Sequence, residues 1–300
     1  MQNNFYTSPP NYRSYIKKLC ELKAEFPFLE VSAIGQSVLG REIYAVGIGN
    51  QERVTLFAGA FQAQEWLTCS LLVRYIEEMA VSCKDDTPIC GFNINQSLQQ
   101  RGIVIVPMVN PDGVSIALEG ASSAGYLRNF VDSLMESSSR SWQANARGVD
   151  LKHKYNAGYE QLKELERIAG ITSPSPRQYG GECAHSEPET RAMLAFLKGR
   201  NVETVYAFHS QGEEIFYEYG LNTPPKGRYI AEILSKVSGY ELVKNDGLYS
   251  HGGFKDYFID KFNRSGFTIE IGQGENPLPI TDLDEIYDRV LELLLVATVI

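Results

Sequence analysis

Histidine is scarce in this 300-residue chain, which contains only His153, His185, His209 and His251. A metal or acid–base site must therefore use these four side chains, or carboxylates and cysteines. The five cysteines include no CxxC pair, and their odd number indicates neither a disulfide framework nor a zinc ribbon. A bridge between positions 83 and 90 could close one loop, but free thiols in a reducing compartment are the favoured interpretation.

Long apolar runs and an excess of basic residues are also missing. The longest largely apolar run, residues 293–300, is far shorter than the roughly 20 residues of a membrane span. Lys and Arg number 28 against 37 Asp and Glu, which gives a net charge of −9. Nucleic-acid binding needs a basic face, so this charge disfavours a broad interface of that kind. The first residues show no signal-peptide pattern. We therefore expect a cytoplasmic protein without membrane or nucleic-acid partners.

The chain has the composition of a globular protein, with 43% hydrophobic and 22% charged residues. No internal repeat or long linker appears, which predicts a single domain over residues 1–300. Short apolar runs at 54–60, 102–109, 202–207 and 267–271 predict buried strands, and helical patterns lie between them. This alternation predicts an α/β fold: a three-layer sandwich with a mixed, mainly parallel central sheet covered by helices on both faces.

Three other segments carry local signals. Asn-Pro-Asp-Gly at 110–113 predicts a turn. The Ser-rich residues 121–147, with a short helical core, predict a long surface excursion. Ser186 to Glu189 has the sequence of a capping box and predicts the start of a helix that runs to residue 197.

Polar side chains follow or end three of the predicted strands. Glu65 comes shortly after the strand at 54–60, His209 follows the strand at 202–207, and Glu270 lies on the strand at 267–271. Taken singly, each side chain has an ordinary structural explanation, such as compensation of a helix dipole or a solvated strand face. In a parallel sheet, however, sites form beyond the carboxyl ends of strands. The three together could form a carboxylate–imidazole metal site with its own base.

The same segments, with others, resemble the zinc carboxypeptidases of the M14 type, in particular the bacterial γ-D-glutamyl-diaminopimelate peptidases. The match runs nearly end to end and in the same order. The resembling segments are IGQSVLGREIYAVGIG (34–49), GAFQAQEW (59–66), PMVNPDGV (107–114), WQANARGVDLKHKYNAGY (142–159), YGGECAHSEPET (179–190), FHSQGEEIFY (208–217), HGGFKDYF (251–258) and FTIEIGQGENPLP (267–279).

The resemblance implies a zinc ion held by an H-x-x-E pair and a distant histidine. On this chain the pair's Glu is Glu65 and the distant ligand is His209, while Glu270 takes the role of the general base. The histidine of the pair is replaced by Gln62, whose neutral amide oxygen suits zinc less well than imidazole does. We therefore expect zinc binding to be weak or absent, with Gln62 a degenerate ligand position.

A second departure is the segment DLKHKY at 150–155, where relatives usually have DLN. Lys152 stands at the asparagine that grips a substrate carboxylate, with His153 next to it. Lysine is a point charge and cannot reproduce a bidentate contact. The lysines at 152 and 154 could equally belong to a solvated loop.

The resemblance also points to three further substrate-binding positions. Arg147 lies where the family often places a cationic contact, and Tyr249 is the nearest match to its mobile tyrosine. Lys255 takes a position that lines the specificity pocket in relatives, where a cation suits an acidic substrate group. A plain surface lysine is the alternative at this position.

Two functions follow from these residues. The first is a metallopeptidase that hydrolyses γ-D-glutamyl-diamino acid bonds of muropeptides through a metal-activated water. The second is a pseudopeptidase that binds a peptide or muropeptide without efficient catalysis, because both departures fall on the metal and carboxylate-gripping positions. A substitution introduced deliberately at Gln62 is a third explanation, which the additional lysine at position 152 disfavours.

Overall fold

The computed structural model describes residues 5–136, 141–243 and 251–300. One eight-stranded mixed sheet has the strand order β1-β2-β4-β3-β5-β8-β6-β7. Its central strands β4, β3, β5 and β8 are parallel, while β1 and β2 at one side and β6 next to β8 pair antiparallel. The strands are β1 Glu30–Gln36, β2 Glu42–Ile48, β3 Val54–Ala58, β4 Gly102–Val106, β5 Val202–Ser210, β6 Glu214–Phe216, β7 Glu241–Leu242 and β8 Gly266–Ile271.

Helices cover both faces of this sheet, as the alternation of strands and helices predicts. Side chains of α1, α2, α8 and α10 pack against one face, and those of α7 and α9 pack against the other. Neighbouring residues of β3 show the division, because Phe57 joins the first core and Leu56 the second. The helices are α1 Tyr12–Glu25, α2 Leu67–Asp85, α3 Ile94–Gln100, α4 Pro111–Glu119, α5 Arg128–Glu136, α6 Tyr159–Ile168, α7 Pro188–Gly199, α8 Pro225–Ser238, α9 Phe254–Phe262 and α10 Leu283–Val299. None of the helices in the described ranges is long and apolar enough to cross a membrane.

Two local predictions are wrong in their physical detail. The Asn-Pro-Asp-Gly segment does not make a turn but starts α4, with the Asn110 side chain accepting a hydrogen bond from the Gly113 amide. Asn at the cap and Pro in the first turn favour a helix start as strongly as a turn. At α7 the Ser186 side chain makes no capping bond and instead contacts Glu187.

The segment 121–147 is only partly a surface excursion. It includes α5, but residues 142–146 at its end are buried under the site described below. Trp142 and Ala144 pack with Ile116 and Val131 in a small third core. Most serines of the segment precede this buried stretch, so the composition of the whole segment does not indicate that its end is buried.

A buried acidic cluster ties α7 to the neighbouring loops. Asn145 donates hydrogen bonds to Glu187 and Glu189, and the Val38 amide donates to Glu189. Burial raises the pKa of Glu189 to about 8, with the Asp112 carboxylate adding to the shift. The neutral carboxyl is therefore the favoured form of Glu189 in the folded chain at pH 7.

Because of this shift, we expect the free energy of unfolding to depend on pH, and we expect Glu189→Gln to make that dependence weaker. A pKa raised on folding contributes stability that is complete at low pH and is lost as pH rises toward 8. We expect the free energy of unfolding of the parent, measured with urea, to fall between pH 5 and pH 8. This fall should be larger than the fall for Glu189→Gln by about 1 kcal/mol or more. Glu25→Gln, at the exposed end of α1, serves as the control. Parallel pH profiles for the parent and Glu189→Gln would contradict the assignment.

Candidate active site

A cleft with a volume of about 630 Å³ opens at the carboxyl ends of the central strands, as the sequence pattern predicts. Gln62 and Glu65 enter it from the segment after β3, and Glu270 enters it from β8. His209 lies near the end of β5, directly beside Glu270 in the register of the parallel strands. The fold thus brings together the three strand-end residues that the sequence places far apart.

Gln62 is fixed by a buried carboxylate. Its Nε2 donates a hydrogen bond of 2.8 Å to Oδ2 of Asp150, which is fully buried. Asp150 also accepts hydrogen bonds from the backbone amides of Lys152 and Gln178, so its position is fixed from three directions. The amide nitrogen of Gln62 is therefore committed to Asp150, and only its neutral carbonyl oxygen remains as a donor to a cation.

Glu65 and His209 form a buried pair, with Nδ1 of His209 2.8 Å from Oε2 of Glu65. The imidazole ring stacks on Phe61 at a centroid distance of 5.3 Å, which fixes the orientation of the ring. Burial raises the pKa of Glu65 to about 8 and lowers the pKa of His209 to about 3. The pair therefore carries no net charge at neutral pH.

Lys152 brings a positive charge next to Glu270 in the cleft. Its Nζ lies 2.8 Å from Oε1 of Glu270 and donates a hydrogen bond to that atom. Burial disfavours the ammonium, but the carboxylates of Glu270 and Glu65 outweigh this effect and raise the pKa of Lys152. A resident cation thus sits beside Glu270, the carboxylate to which the family resemblance assigns the role of the base.

The donor set does not fit a zinc site. Within the described residues, no group of three or more His, Cys, Asp or Glu side chains could hold a metal ion. A catalytic zinc site uses three protein ligands, whereas here only Glu65 and His209 offer strong donor atoms. The Lys152 ammonium also repels a divalent cation.

Lys154 and Lys255, for which the sequence also allowed a solvent-exposed position, are both buried. Lys154 donates hydrogen bonds to the carbonyl oxygens of Gly180 and Cys183, and burial lowers the pKa of Lys154 to about 8. Lys255 lines a small pocket next to Glu270, where its Nζ donates to the Glu218 carbonyl and forms an ion pair with Asp256. The solvated-loop interpretation of Lys154 and the surface interpretation of Lys255 are therefore wrong.

The remaining predicted substrate contacts are distributed differently. His153 lines the cleft. Arg147 does not line it, and its guanidinium is half-exposed and lies 3.7 Å from Glu187. Tyr249 lies outside the described residues.

Sequence reasoning did not single out Asp150, whose carboxylate holds the cleft residue Gln62, or Arg177. Asp150 is buried and orients Gln62, and its only signal is its position two residues before Lys152 in the DLK motif. Arg177 lines the cleft from the loop SPSPRQYGG, residues 173–181. A basic residue directly after two prolines in a predicted loop was a visible feature, but only the fold shows where the loop lies.

Comparison with known proteins decides the family. The family model described as zinc carboxypeptidase, Peptidase_M14, matches residues 15–292. The chain belongs to the zinc carboxypeptidase family. It is 34% identical over 287 residues to the protein named Gamma-D-glutamyl-L-diamino acid endopeptidase 1 of Lysinibacillus sphaericus, covering 95% of this chain and 71% of that relative. It is 33% identical to the uncharacterized protein YqgT of Bacillus subtilis (strain 168), covering 93% and 73% of the two chains.

Solved structures confirm the fold of this family member. Thrombin activatable fibrinolysis inhibitor (TAFI) superimposes with a TM-score of 0.76 over 99% of this chain and 75% of that one, at 16% identity. At such low identity the likeness concerns the backbone arrangement alone. The mixed sheet with helices on both faces is thus the zinc carboxypeptidase fold.

Proposed function

We propose that this chain is a peptide-binding member of its family, which takes γ-D-glutamyl peptides such as muropeptides into its cleft without zinc-dependent hydrolysis. The observation that carries the proposal is the ion pair between Lys152 and Glu270. The peptide class follows from the 34% identical relative, which is named for a γ-D-glutamyl-L-diamino acid bond.

Hydrolysis by the family's route needs a carboxylate that is free to accept a proton from water. Here Oε1 of Glu270 already accepts a hydrogen bond from an ammonium group. The water would also need a metal to lower its pKa, and the donors around Glu65 and His209 do not fit one. Lys152 therefore supports a role for the cleft as a polar binding site.

A second candidate function is hydrolysis through a weakly held metal. It is favoured by the convergence of Glu65, His209 and Glu270 at one edge of the sheet, since all three would serve the family's reaction. Against it stand the commitment of the Gln62 amide to Asp150 and the charge of Lys152. The two candidates differ in the zinc content that they require.

Zinc content tests the proposal. The purified chain, dialysed against micromolar zinc and then against buffer, is expected to retain well below one zinc per chain by elemental mass spectrometry. The physical reason is that only two strong ligands face the position and a lysine ammonium opposes a second cation there. Zinc retained at one equivalent per chain, together with release of products from a γ-D-glutamyl peptide, would support the second candidate.

A further inference from the structure

Arg177 presents a guanidinium group to the cleft that the family's reaction does not explain. It lies on the loop of residues 173–181 and is partly buried. Its Nε donates a hydrogen bond of 2.9 Å to Oε1 of Gln143, another cleft residue. One edge of the guanidinium is thereby held by the protein, which sets the direction of the remaining donors.

Backbone hydrogen bonds fix the base of this arrangement. The Gln143 amide donates to the Pro176 carbonyl at 2.8 Å, and the Gln143 carbonyl accepts from the Ala63 amide at 2.9 Å. These bonds join the loop that carries Arg177 to the segment that follows β3. Arg177 is thus held on the side of the cleft where Gln62 lies. Glu214, on β6, lies on the other side of the cleft, beyond the parallel strands β5 and β8.

The charge of Arg177 is not neutralised by the protein. Within residues 5–136, 141–243 and 251–300, no carboxylate lies within ion-pair distance of its guanidinium, and its terminal Nη groups make no hydrogen bond. Lys152, which also lines the cleft, pairs with Glu270, and Lys255 in the neighbouring small pocket pairs with Asp256.

We propose that Arg177, oriented by Gln143, binds a carboxylate group of the peptide ligand. This inference rests on the proposed peptide-binding function and deepens it. A guanidinium matches the planar carboxylate with two parallel hydrogen bonds. A dianion such as phosphate fits less well, because Glu214 and Glu275 also line the cleft and would repel the additional charge. The same two carboxylates suit the amino group of a diamino acid at the other side of the cleft.

A matched pair of probes tests this inference. The probes are γ-D-glutamyl-L-lysine with free carboxylates and the same dipeptide with both carboxylates amidated, titrated calorimetrically into the full chain. The parent chain is expected to bind the acid about tenfold more tightly than the amide, because hydrogen bonds between charged groups contribute about 1.5 kcal/mol or more. In Arg177→Gln the two affinities are expected to become equal. Arg177→Lys keeps the charge but loses the fork, and an intermediate ratio is expected.

Arg128→Gln on α5 is the matched control, because it removes an equally charged but exposed side chain outside the cleft and should leave the ratio unchanged. Thermal unfolding of each variant establishes that it is folded, and Arg177→Lys carries the test if Arg177→Gln is not. A parental ratio in both Arg177 variants would overturn the inference, as would failure of the parent to bind the acid. Product analysis in the same samples separates the two proposals, since cleavage of the dipeptide would contradict the proposed function but not the role of Arg177.

Discussion

Zinc affinity is expected to rise by about a hundredfold or more when Gln62→His and Lys152→Asn are made together. The histidine adds an imidazole next to Glu65 and His209, which gives the three protein ligands that a catalytic zinc site needs. Asp150, which now accepts a hydrogen bond from Gln62, is placed to orient the new ring. The asparagine removes a positive charge, and two unit charges 4 Å apart in a partly buried site interact by about 4 kcal/mol.

The single variants separate the two causes. Gln62→His alone is expected to bind zinc more weakly than the double variant, because the Lys152 ammonium remains beside Glu270. Lys152→Asn alone is expected to stay substoichiometric, because it adds no ligand. Competition with a fluorescent zinc chelator measures all three affinities. If Gln62→His alone reached the affinity of the double variant, Lys152 would have no part in excluding the metal.

Loss of the ammonium is the second large expected effect, and Lys152→Met is predicted to destabilise the fold by about 2 kcal/mol or more at pH 7. Breaking a buried ion pair by removing one partner costs about 3–5 kcal/mol, and the 21% exposure of the Lys152 side chain reduces this cost. The unpaired Glu270 carboxylate would remain in a cleft that also contains Glu65 and Glu214. Urea unfolding measures the difference in the free energy of unfolding.

A double-mutant cycle with Glu270→Gln identifies the source of that loss. If the two side chains stabilise each other, the double variant should be more stable than the sum of the single effects predicts, by about 1–3 kcal/mol. Lys17→Met is the control, because Lys17 forms an exposed pair with Glu21 and such pairs contribute about 1 kcal/mol or less. Strict additivity would show that Lys152 stabilises the fold through its packing rather than through Glu270.

Much of the fold follows from local sequence patterns. The apolar runs at 54–60 and 202–207 become β3 and β5, because a parallel strand covered on both faces needs apolar residues at consecutive positions. Helix α8 ends before Gly239, which adopts the left-handed conformation that glycine favours after a helix, so this boundary too is encoded locally. The predicted turn at Asn110 failed because the same residue types begin turns and helices, and only the packing of α4 decides between them.

The site was predictable only where its residues lie at strand ends. Glu65, His209 and Glu270 meet because parallel strands end at one edge of the sheet, so their meeting follows from the strand pattern. The contact between Lys152 and Glu270 joins residues 118 positions apart, and no local pattern encodes it. The same holds for Arg177, whose loop reaches the cleft through hydrogen bonds to Gln143. The sequence identifies Gln62 and Lys152 as departures from the family, but only the tertiary structure shows their contacts with Asp150 and Glu270.

The most direct test of the proposed function follows one peptide through binding and possible cleavage. The purified chain is titrated with γ-D-glutamyl-L-lysine in the presence of zinc, and the sample is then analysed by mass spectrometry after prolonged incubation. Saturable binding with recovery of the intact dipeptide is the expected result, because Lys152 holds Glu270 and the donors at Gln62, Glu65 and His209 do not fit zinc. Release of free lysine and glutamate by the parent chain, or the absence of any binding, would contradict this account.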